Sequence, residues 1–381
     1  MVSSTARATD VFVIGGGPAG LAAAIAARAR GLSVMLADGA RPPIDKACGE
    51  GVMPQGVVAL HRLGVSIDPV ISQPFQGIRF IENEVTADAR FDGSHGVGIR
   101  RIALHQAMAQ AAANQGVTLL WGARADAIDA STVRVAGQTI ACRWIVGADG
   151  HNSRVRDSMG IRGPVRPIRR AGLRQHYRVR PWTDLVEVYW HLLGQAYVTP
   201  IGPEEVCVAI TGARSALRIG DLPRIFPALA KRLGGACATT SMRGSVSASV
   251  RFRAVTKDRV ALVGDASGSV DSITGDGISL ALAQSLALAD AMARDDLDLY
   301  ERAHSKILAM PLMMARVLVM IGQHRRLRAK VLAALASRPG IFARLLAVHA
   351  GEISPRDIGL YTLASLGWRM LAPRALIRRT S

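Results

Sequence analysis

The chain has 381 residues, of which 49% are hydrophobic and 20% charged, and this length predicts two or three domains around a sizeable core. The composition excludes a disulfide-stapled miniprotein, a collagen-like repeat and a disordered tail. Lys and Arg number 47 against 29 Asp and Glu, which gives a formal net charge of +18. Such an excess is typical of proteins that bind nucleic acid, an anionic membrane surface or an acidic ligand.

The predicted elements begin with a short apolar strand over 10–14, a glycine-rich turn, an Ala/Leu-rich helix over 21–29 and a second strand over 33–37. This order is a βαβ unit of about 30 residues. The middle of the chain is predicted to form a strand pair over 77–92, an amphipathic helix over 101–115, strands over 117–121, 132–135 and 143–148, and an antiparallel sheet over 171–212. A helix over 222–233, strands over 245–263 and a helix over 276–293 follow. After residue 300 the pattern is helical, with breaks at Pro311, Gly322, Pro339–Gly340 and Pro355.

The excess charge lies mainly at the end of the chain. From residue 301 onward there are 14 Lys and Arg but only 3 Asp and Glu. Apolar residues between the basic ones would suit a helix on an anionic membrane surface, with Trp368 as an interfacial anchor; a helical cap with a solvated basic face explains the pattern equally well. Aromatic residues make up only 4% and no nucleic-acid motif is present, so we expect no nucleic-acid partner. The basic positions are Arg325, Arg326, Arg328, Lys330, Arg338, Arg344, Arg369, Arg374, Arg378 and Arg379.

The four cysteines, Cys48, Cys142, Cys207 and Cys237, form no CxxC pair and have no metal-ligand spacing. We therefore expect no metal site and a reducing, cytoplasmic compartment. The sequence shows no secretory signal pattern and no run of about 18 uncharged apolar residues, so no segment is expected to cross a bilayer. The run over 308–321 contains four methionines, which could line an adaptable apolar channel or simply form a core helix.

The first motif is Gly15-x-Gly17-x-x-Gly20, placed between the first strand and the first helix. Gly15 permits a tight turn, Gly17 permits close approach of a pyrophosphate to the backbone, and Gly20 permits close helix–strand packing. The free N–H groups of the helix then face the phosphates. Asp38, at the end of the second strand, can accept hydrogen bonds from a ribose. The motif therefore indicates dinucleotide binding.

Two further motifs follow in order. Asp149-Gly150 ends one predicted strand, and Gly264-Asp265 ends another, with Gly275-x-Gly277 opening the helix after it. Either alone could be an ordinary turn, but their combination after the glycine motif is much more specific.

Over residues 8–300 these motifs resemble the FAD-dependent oxidoreductases of the para-hydroxybenzoate hydroxylase and geranylgeranyl reductase superfamily. The resemblance implies an α/β fold: a Rossmann-like FAD-binding domain, an inserted antiparallel-sheet substrate domain of α+β type and a helical C-terminal region. FAD is expected without a covalent link. The sequence has no second Gly-x-Gly-x-x-Gly motif, so no separate nicotinamide domain is expected. The resemblance implies NAD(P)H as a transient electron donor.

The resemblance assigns roles to individual residues. Asp149 and Gly150 would lie near the pyrophosphate, Asp265 near the ribityl chain, and Arg101, which opens a helix, against the flavin nucleotide. A helix N-terminus at Gly275 and Gly277 would face the flavin ring. The full expected cofactor-binding set is Gly15, Gly17, Pro18, Ala19, Gly20, Asp38, Arg101, Asp149, Gly150, Gly264, Asp265, Gly275 and Gly277.

The stretch Lys46-Ala47-Cys48-Gly49-Glu50-Gly51 is similar to the reductase pattern Lys-x-Cys-Gly-Gly. Cys48 would lie beside the flavin and is the candidate catalytic residue, with Lys46 able to lower its pKa; alternatively it only holds a loop. Ser272 replaces the proline of the reductase pattern Asp-Pro-x-x-Gly-Glu-Gly-Ile, and the segment from Gly194 to Pro200 keeps only Tyr197 of the aromatic residues in Gly-Tyr-Ala-Trp-x-x-Pro. These departures weaken a simple prenyl-reductase assignment.

We predict a discontinuous FAD-binding domain over 1–72, 95–165 and 255–300, a substrate domain over 73–94 and 166–254, and a basic helical C-terminal region over 301–381.

The predicted function is an FAD-dependent oxidoreductase for a hydrophobic small molecule, with a monooxygenase of a phenolic, polyketide or lipid-like substrate favoured. The alternatives are reduction of prenyl C=C bonds and a flavin-binding sensor without turnover. A halogenase is disfavoured because its Trp-x-Trp-x-Ile-Pro segment is missing. The protein is expected in the cytoplasm, with peripheral membrane contact through the basic region. His176 and His191 could face the substrate or be ordinary strand residues, and His105 is expected in solvent.

Overall fold

The computed structural model describes residues 8–129, 131–161, 168–212, 219–354 and 357. The strands are β1 (Ala8–Ile14), β2 (Val34–Asp38), β3 (Gly51–Val52), β4 (Ser72–Phe75), β5 (Gly77–Glu82), β6 (Val85–Arg90), β7 (Gly96–Ile99), β8 (Thr118–Trp121), β9 (Ala125–Ile128), β10 (Thr132–Val135), β11 (Gln138–Gly147), β12 (Ile168–Arg178), β13 (Val186–His191), β14 (Gly194–Gly202), β15 (Glu205–Gly212), β16 (Arg243–Arg251), β17 (Thr256–Lys257), β18 (Val260–Leu262) and β19 (Gly268–Ser269). The helices are α1 (Pro18–Arg28), α2 (Pro54–Arg62), α3 (Arg101–Asn114), α4 (Arg154–Ser158), α5 (Leu222–Ile225), α6 (Pro227–Leu233), α7 (Gly277–Ala293), α8 (Leu297–Gln323), α9 (Arg325–Ser337) and α10 (Pro339–His349).

The first sheet has the strand order β17-β18-β11-β1-β2-β8, and β10 and β9 extend it from β11. Strand β1 pairs in parallel with both β2 and β11, with Val13 opposite Leu36 and Val146. Val11, Phe12 and Val13 are completely buried, as expected for a central parallel strand with both faces covered. The core of this part of the molecule therefore forms around β1.

Helix α1 packs directly on the end of β1. Gly15 has a φ of +110°, and a Cβ added at Gly20 would overlap the carbonyl oxygen of Gly15. Helix α7 lies along α1, where the Ser285 hydroxyl donates to the Ala19 carbonyl at 3.0 Å. The small residues at these positions allow the helix N-terminus to approach the strand end closely.

The second sheet has the order β19-β16-β12-β15-β14-β13-β5-β6 and is antiparallel except between β13 and β5. A small third sheet joins β3, β7 and β4. The predicted fold class, an α/β dinucleotide-binding fold with an inserted antiparallel sheet and a helical C-terminal region, is confirmed. The domain boundaries remain a prediction; the short strand β19 lies inside the segment 255–300 assigned to the first domain, yet it pairs with the second sheet.

Two prolines have effects that differ from the sequence prediction. The expected helix over 222–233 is divided into α5 and α6 at Phe226, whose φ is −128° and ψ 65°. The following Pro227 disfavours helical geometry at this residue. Pro311, by contrast, lies inside α8 without ending it. Leu, Met and Ala on both sides have high helix propensity, which offsets the backbone hydrogen bond that proline removes.

Helix α8 is long and apolar enough to cross a membrane by length and composition, and α9 with α10 would pass the same test together across a 104° bend. The sequence contains no uncharged run of this length because Arg316 interrupts the apolar part of α8, and the expectation that no segment crosses a bilayer stays a prediction. Only 22% of the apolar window of α8 is buried. Part of an apolar helix therefore faces away from the protein core.

Helices α9 and α10 cover the edge of the second sheet. Phe342 packs against Phe80 with ring centroids 4.8 Å apart, and Leu332, Leu335 and Leu346 are buried in the same cluster. We call α8, α9 and α10 together the helical cap. Trp368 and the basic residues Arg369, Arg374, Arg378 and Arg379, as well as Pro355, lie outside the described residues.

Arg328 anchors the helical cap from inside. Its side chain is only 2% exposed and forms an ion pair with Glu82 of β5 at 2.6 Å, while Nη1 donates to the Gly322 carbonyl at 2.6 Å. Arg328 therefore does not belong to the basic surface on which the sequence would place it.

Replacing Arg328 by Leu should lower the free energy of unfolding by about 3–5 kcal/mol, because the largely buried Glu82 carboxylate loses its partner. Urea denaturation measures this change. The exposed neighbour Arg326 is the matched control, and Arg326→Leu should stay within about 0.5 kcal/mol of the wild type. Adding Glu82→Leu to the Arg328 variant should recover part of the loss; no recovery would contradict the ion-pair explanation.

Candidate dinucleotide site and apolar chamber

The carboxyl ends of β1, β2, β11 and β18 meet at one edge of the first sheet, where ligands of open α/β sheets bind. A cavity of about 1860 Å³ opens there. Gly20 lies behind the turn and is not among the residues that line it. The expected site residues that do line the cavity are Gly15, Gly17, Pro18, Ala19, Asp38, Cys48, Arg101, Asp149, Gly150, Gly264, Asp265, Gly275 and Gly277.

Asp38 is fixed at the rim of the cavity by the backbone. Its Oδ2 accepts a hydrogen bond from the Gly16 amide at 2.6 Å and its Oδ1 accepts one from the Ala40 amide at 2.7 Å. A carboxylate oxygen has lone pairs left after one such bond. Asp38 can therefore still accept a hydrogen bond from a ribose hydroxyl.

His105 differs from the expectation of a solvated residue. It is completely buried, and its Nε2 lies 2.9 Å from the Gly16 carbonyl oxygen. Burial lowers its pKa. His105 therefore faces the glycine turn rather than solvent and supports that turn, while Gln106 and Gln110 of the same helix are exposed.

Arg101 is a buried cation whose side chain has no ion-pair partner among the residues that the structure describes. The residue is 6% exposed, its Nη1 has no hydrogen-bond partner in the described part of the chain, and Nη2 lies 4.0 Å from the position of a Cβ added at Gly17. Burial lowers its pKa. An unpaired buried guanidinium is costly, and an anion at the glycine turn would remove that cost. The residues present thus fit the pyrophosphate of FAD.

Asp149 and Asp265 organise the other two motifs. Asp149 Oδ2 accepts from the amides of Arg154 and Val155 at 2.7 and 3.2 Å and so caps α4. Asp265 forms an ion pair with Lys46 at 2.8 Å, and both side chains are substantially exposed. The Asp149 turn is thereby held by backbone contacts, whereas the Asp265 turn is linked to the loop that carries Cys48.

Cys48 lines the cavity but is not an activated thiolate. Burial raises the pKa of its thiol, with the Lys46 charge a minor opposing influence. Lys46 is paired with Asp265, which limits the influence of its charge on the thiol. Any role for Cys48 in the reaction would therefore begin from the protonated thiol, and its catalytic assignment remains a prediction.

Sequence reasoning missed a buried ionic network next to Cys48. Glu50 is 2% exposed and has a left-handed φ of +59°. Its Oε2 lies 2.6 Å from His176 Nε2, and its Oε1 accepts from the Arg101 amide at 2.9 Å. Glu50 occupies a position where the reductase pattern has glycine, and this replacement was the feature of the sequence that could have pointed to the network. The carboxylate links the Cys48 loop, α3 and β12.

The same network includes one group with ligand atoms of metal-binding type. Atoms of Glu50, His176 and Cys207 lie within 4.8 Å of one another. The Arg174 guanidinium reaches His176 Nδ1 at 3.2 Å and Glu50 at 3.8 Å, so a cation already occupies the neighbourhood of the carboxylate. His176 and His191 do not line the cavity; the ordinary structural reading of both residues describes them better.

Beyond the motifs, the cavity becomes an apolar chamber between the second sheet and the helical cap. The sheet contributes aromatic and branched side chains, and Trp190 Nε1 is buried there without a hydrogen-bond partner among the described residues. Helix α8 contributes methionines, as expected for an adaptable channel. The apolar lining includes Ile78, Phe80, Val188, Trp190, Met310, Met313, Met314, Met320, Leu332 and Phe342.

Where the motif edge and the chamber meet, Asp276 and His349 face one another. Asp276 precedes α7 and is 2% exposed, and its Oδ1 lies 3.2 Å from Nε2 of His349, at the end of α10. Burial alone would lower the pKa of His349, but the Asp276 carboxylate raises it overall. Sequence reasoning missed this pair because the two residues are far apart in the chain.

This arrangement defines a dinucleotide-binding protein with an adjoining site for an apolar ligand. Residues 8–216 match the family model described as FAD binding domain, and the chain belongs to that family.

Among its relatives is a menaquinone reductase of Mycobacterium tuberculosis, 29% identical over 76% of this chain and 77% of the relative. A ubiquinone hydroxylase of Rhodospirillum rubrum is 27% identical over 77% of this chain and 74% of the relative. The fold is shared with a flavoprotein/dehydrogenase from Cytophaga hutchinsonii, with a TM-score of 0.81, 18% identity and coverage of 96% and 98%. PqsL of Pseudomonas aeruginosa, solved with 2-aminobenzoylacetate, has a TM-score of 0.71, 21% identity and coverage of 88% and 100%.

Replacing Arg101 by Met should weaken FAD binding about 10- to 100-fold, because a charge-assisted hydrogen bond to the cofactor is lost. Fluorescence titration of the apoprotein with FAD measures the dissociation constant. Arg62→Met, on the exposed end of α2 and outside the cavity, is the matched control and should bind FAD normally. Unchanged affinity in the Arg101 variant would contradict its assignment to the phosphates.

Proposed function

We propose that this FAD-dependent oxidoreductase is a monooxygenase that hydroxylates a hydrophobic phenolic, polyketide or lipid-like molecule. The observation that carries the proposal is the single cavity that runs from the dinucleotide motifs into the apolar chamber. Its volume of about 1860 Å³ exceeds the roughly 300–1,000 Å³ of an ordinary small-molecule site. The excess is consistent with space for FAD and a second ligand together.

In the proposed reaction the protein positions the ligands and excludes water. Bound FAD would supply the oxygen chemistry. Gly275 and Gly277 place the N-terminus of α7 at the cavity, where the helix dipole favours negative charge on a neighbouring group. Apolar side chains of the second sheet and α8 would hold the substrate in a dry environment, which strengthens electrostatic interactions. NAD(P)H is proposed as the transient electron donor.

The second candidate is reduction of isolated C=C bonds in a prenyl chain. It is supported by the stretch from Lys46 to Gly51, which is similar to the reductase pattern, and by the relatives called menaquinone reductase. Ser272 and the altered segment from Gly194 to Pro200 argue against it.

The reaction class can be decided with ¹⁸O₂. The purified protein should be yellow, and with NADPH it should transfer one labelled oxygen atom to an alkylphenol or a 2-prenyl-1,4-naphthoquinone, as mass spectrometry would show. A saturated prenyl chain formed without oxygen would instead establish the reductase. Heat-denatured protein with the same amount of FAD is the control. Colourless protein that takes up no FAD would contradict both candidates.

We further propose that the helical cap lies on the anionic cytoplasmic surface of a membrane, so that an apolar substrate enters the chamber from the lipid. Met313, Val317 and Met320 are 50%, 42% and 46% exposed although they line the cavity, and their spacing places them on one face of α8. No Asp or Glu occurs over 302–351. Arg325 and Arg326 are exposed at the start of α9, which adds positive charge near this apolar face.

Co-sedimentation with vesicles tests the surface. The protein should bind phosphatidylcholine vesicles that contain phosphatidylglycerol, and added salt should weaken binding. Replacing both Arg325 and Arg326 by Gln should weaken binding about fivefold per charge, and replacing Met313, Val317 and Met320 by Ser should weaken it further. Exposed valines elsewhere, Val58 and Val70, provide the matched Ser control. Equal binding by all variants, or no binding, would contradict the proposal.

A further inference from the structure

We propose that His349, held by Asp276, is the polar anchor of the substrate site: it donates a hydrogen bond to an oxygen atom on the head of an otherwise apolar substrate. This inference rests on the proposed function, because it assumes that the chamber receives a hydrophobic molecule. The ligand class it defines is an apolar compound with a carbonyl or phenolic oxygen at its head.

The geometry places the donor at the junction of the two parts of the cavity. Asp276 and His349 both line the cavity. His349 Nε2 lies 3.2 Å from Asp276 Oδ1 and 3.2 Å from the Thr274 carbonyl oxygen. Two acceptors at one nitrogen require that Nε2 carries a hydrogen. No described residue forms a hydrogen bond with Nδ1, which leaves that nitrogen available to a ligand.

The charge balance makes Nδ1 a donor rather than an acceptor. The Asp276 side chain is 1% exposed, and neither of its oxygens has a hydrogen-bond partner of good geometry among the described residues. A buried carboxylate needs a paired cation, and His349 is the titratable cation placed against it. The raised pKa of His349 agrees with this charge. Both ring nitrogens of an imidazolium are donors.

Two other polar groups on the chamber wall are already engaged. The Tyr197 hydroxyl donates to the Ile273 carbonyl at 2.9 Å, and the Thr199 hydroxyl donates to the Gly49 carbonyl at 2.8 Å. Trp190 Nε1 is a competing donor, since it is buried and has no hydrogen-bond partner among the described residues. Trp190 lies beside the end of α8 near Gly322, whereas His349 lies beside the loop before α7, to which the motif resemblance assigns the flavin ring.

A purely structural role for the His349 side chain would be to tie α10 to that loop. Other contacts already hold this end of the helix: Gln55 Nε2 donates to the His349 carbonyl at 3.4 Å, and Glu352 bonds the Ser94 hydroxyl and the Asp92 amide. If the side chain only held α10 to the loop, its loss would weaken the binding of all cavity ligands equally. If the side chain donates a hydrogen bond to the substrate, its loss would weaken the binding only of ligands that have an oxygen.

The experiment compares two probes of matched shape, 2-decyl-1,4-naphthoquinone and 2-decylnaphthalene, by isothermal titration calorimetry. The wild type should bind the quinone about 10- to 100-fold more tightly, the range for one charge-assisted hydrogen bond. His349→Leu should abolish this preference and leave naphthalene binding unchanged. His349→Asn should restore part of it, because its amide can donate from near the Nδ1 position. Trp190→Phe should keep the preference.

Equal binding of the two probes by the wild type would overturn the inference. If His349→Leu lowered the affinity for both probes equally, the residue would have only the structural role. If the preference were lost only in Trp190→Phe, the indole would be the hydrogen-bond donor to the substrate. Flavin content is measured separately by absorbance. A protein without flavin would contradict the proposed function, while the calorimetric preference would still decide the role of His349.

Discussion

The rest of the site depends on how closely helix α1 approaches the end of strand β1. No side chain fits at Gly20, because a Cβ there would overlap the Gly15 carbonyl oxygen. This approach aims the N-terminus of α1 at the space above the strand ends. The Gly16 amide and carbonyl of the same turn engage Asp38 and His105. One backbone contact thus fixes the second strand, helix α3 and the anion-binding edge relative to one another.

Buried charge then connects this edge to the substrate side. Glu50 receives the Arg101 amide and faces His176 from the second sheet, while Asp276 faces His349 from the helical cap. In both pairs a carboxylate of one structural unit faces a histidine of another. Because an unpaired buried charge is costly, each pair favours one arrangement of the surrounding elements. The cavity between them therefore has polar groups at defined positions in largely apolar walls.

The glycine turn and the pairing of β1 with β2 could be predicted from the sequence, because these features depend on residues that are close together in the chain. The rest of the dinucleotide edge combines motifs that are far apart in the chain, and it was expected only because the motifs resemble those of a known superfamily. The methionine run also gave a useful expectation, since methionines of α8 do line the cavity. The solvated position predicted for His105 was wrong because its neighbour is a turn almost ninety residues earlier, a separation of 89. Local periodicity contains no information about such a partner.

The sequence by itself therefore determined a dinucleotide-binding βαβ unit, because glycine spacing and strand–turn–helix order are local properties, and the resemblance of its motifs to a known superfamily implied FAD. Its basic excess at the end of the chain was also apparent. Only the tertiary structure decided which charges are buried. Arg328 proved to be an internal anchor for the helical cap, whereas Arg325 and Arg326 remain on the surface. Packing between segments that are distant in the chain determines which charge is buried and which residue pairs with it. For this reason three arginines of the same helix have different environments.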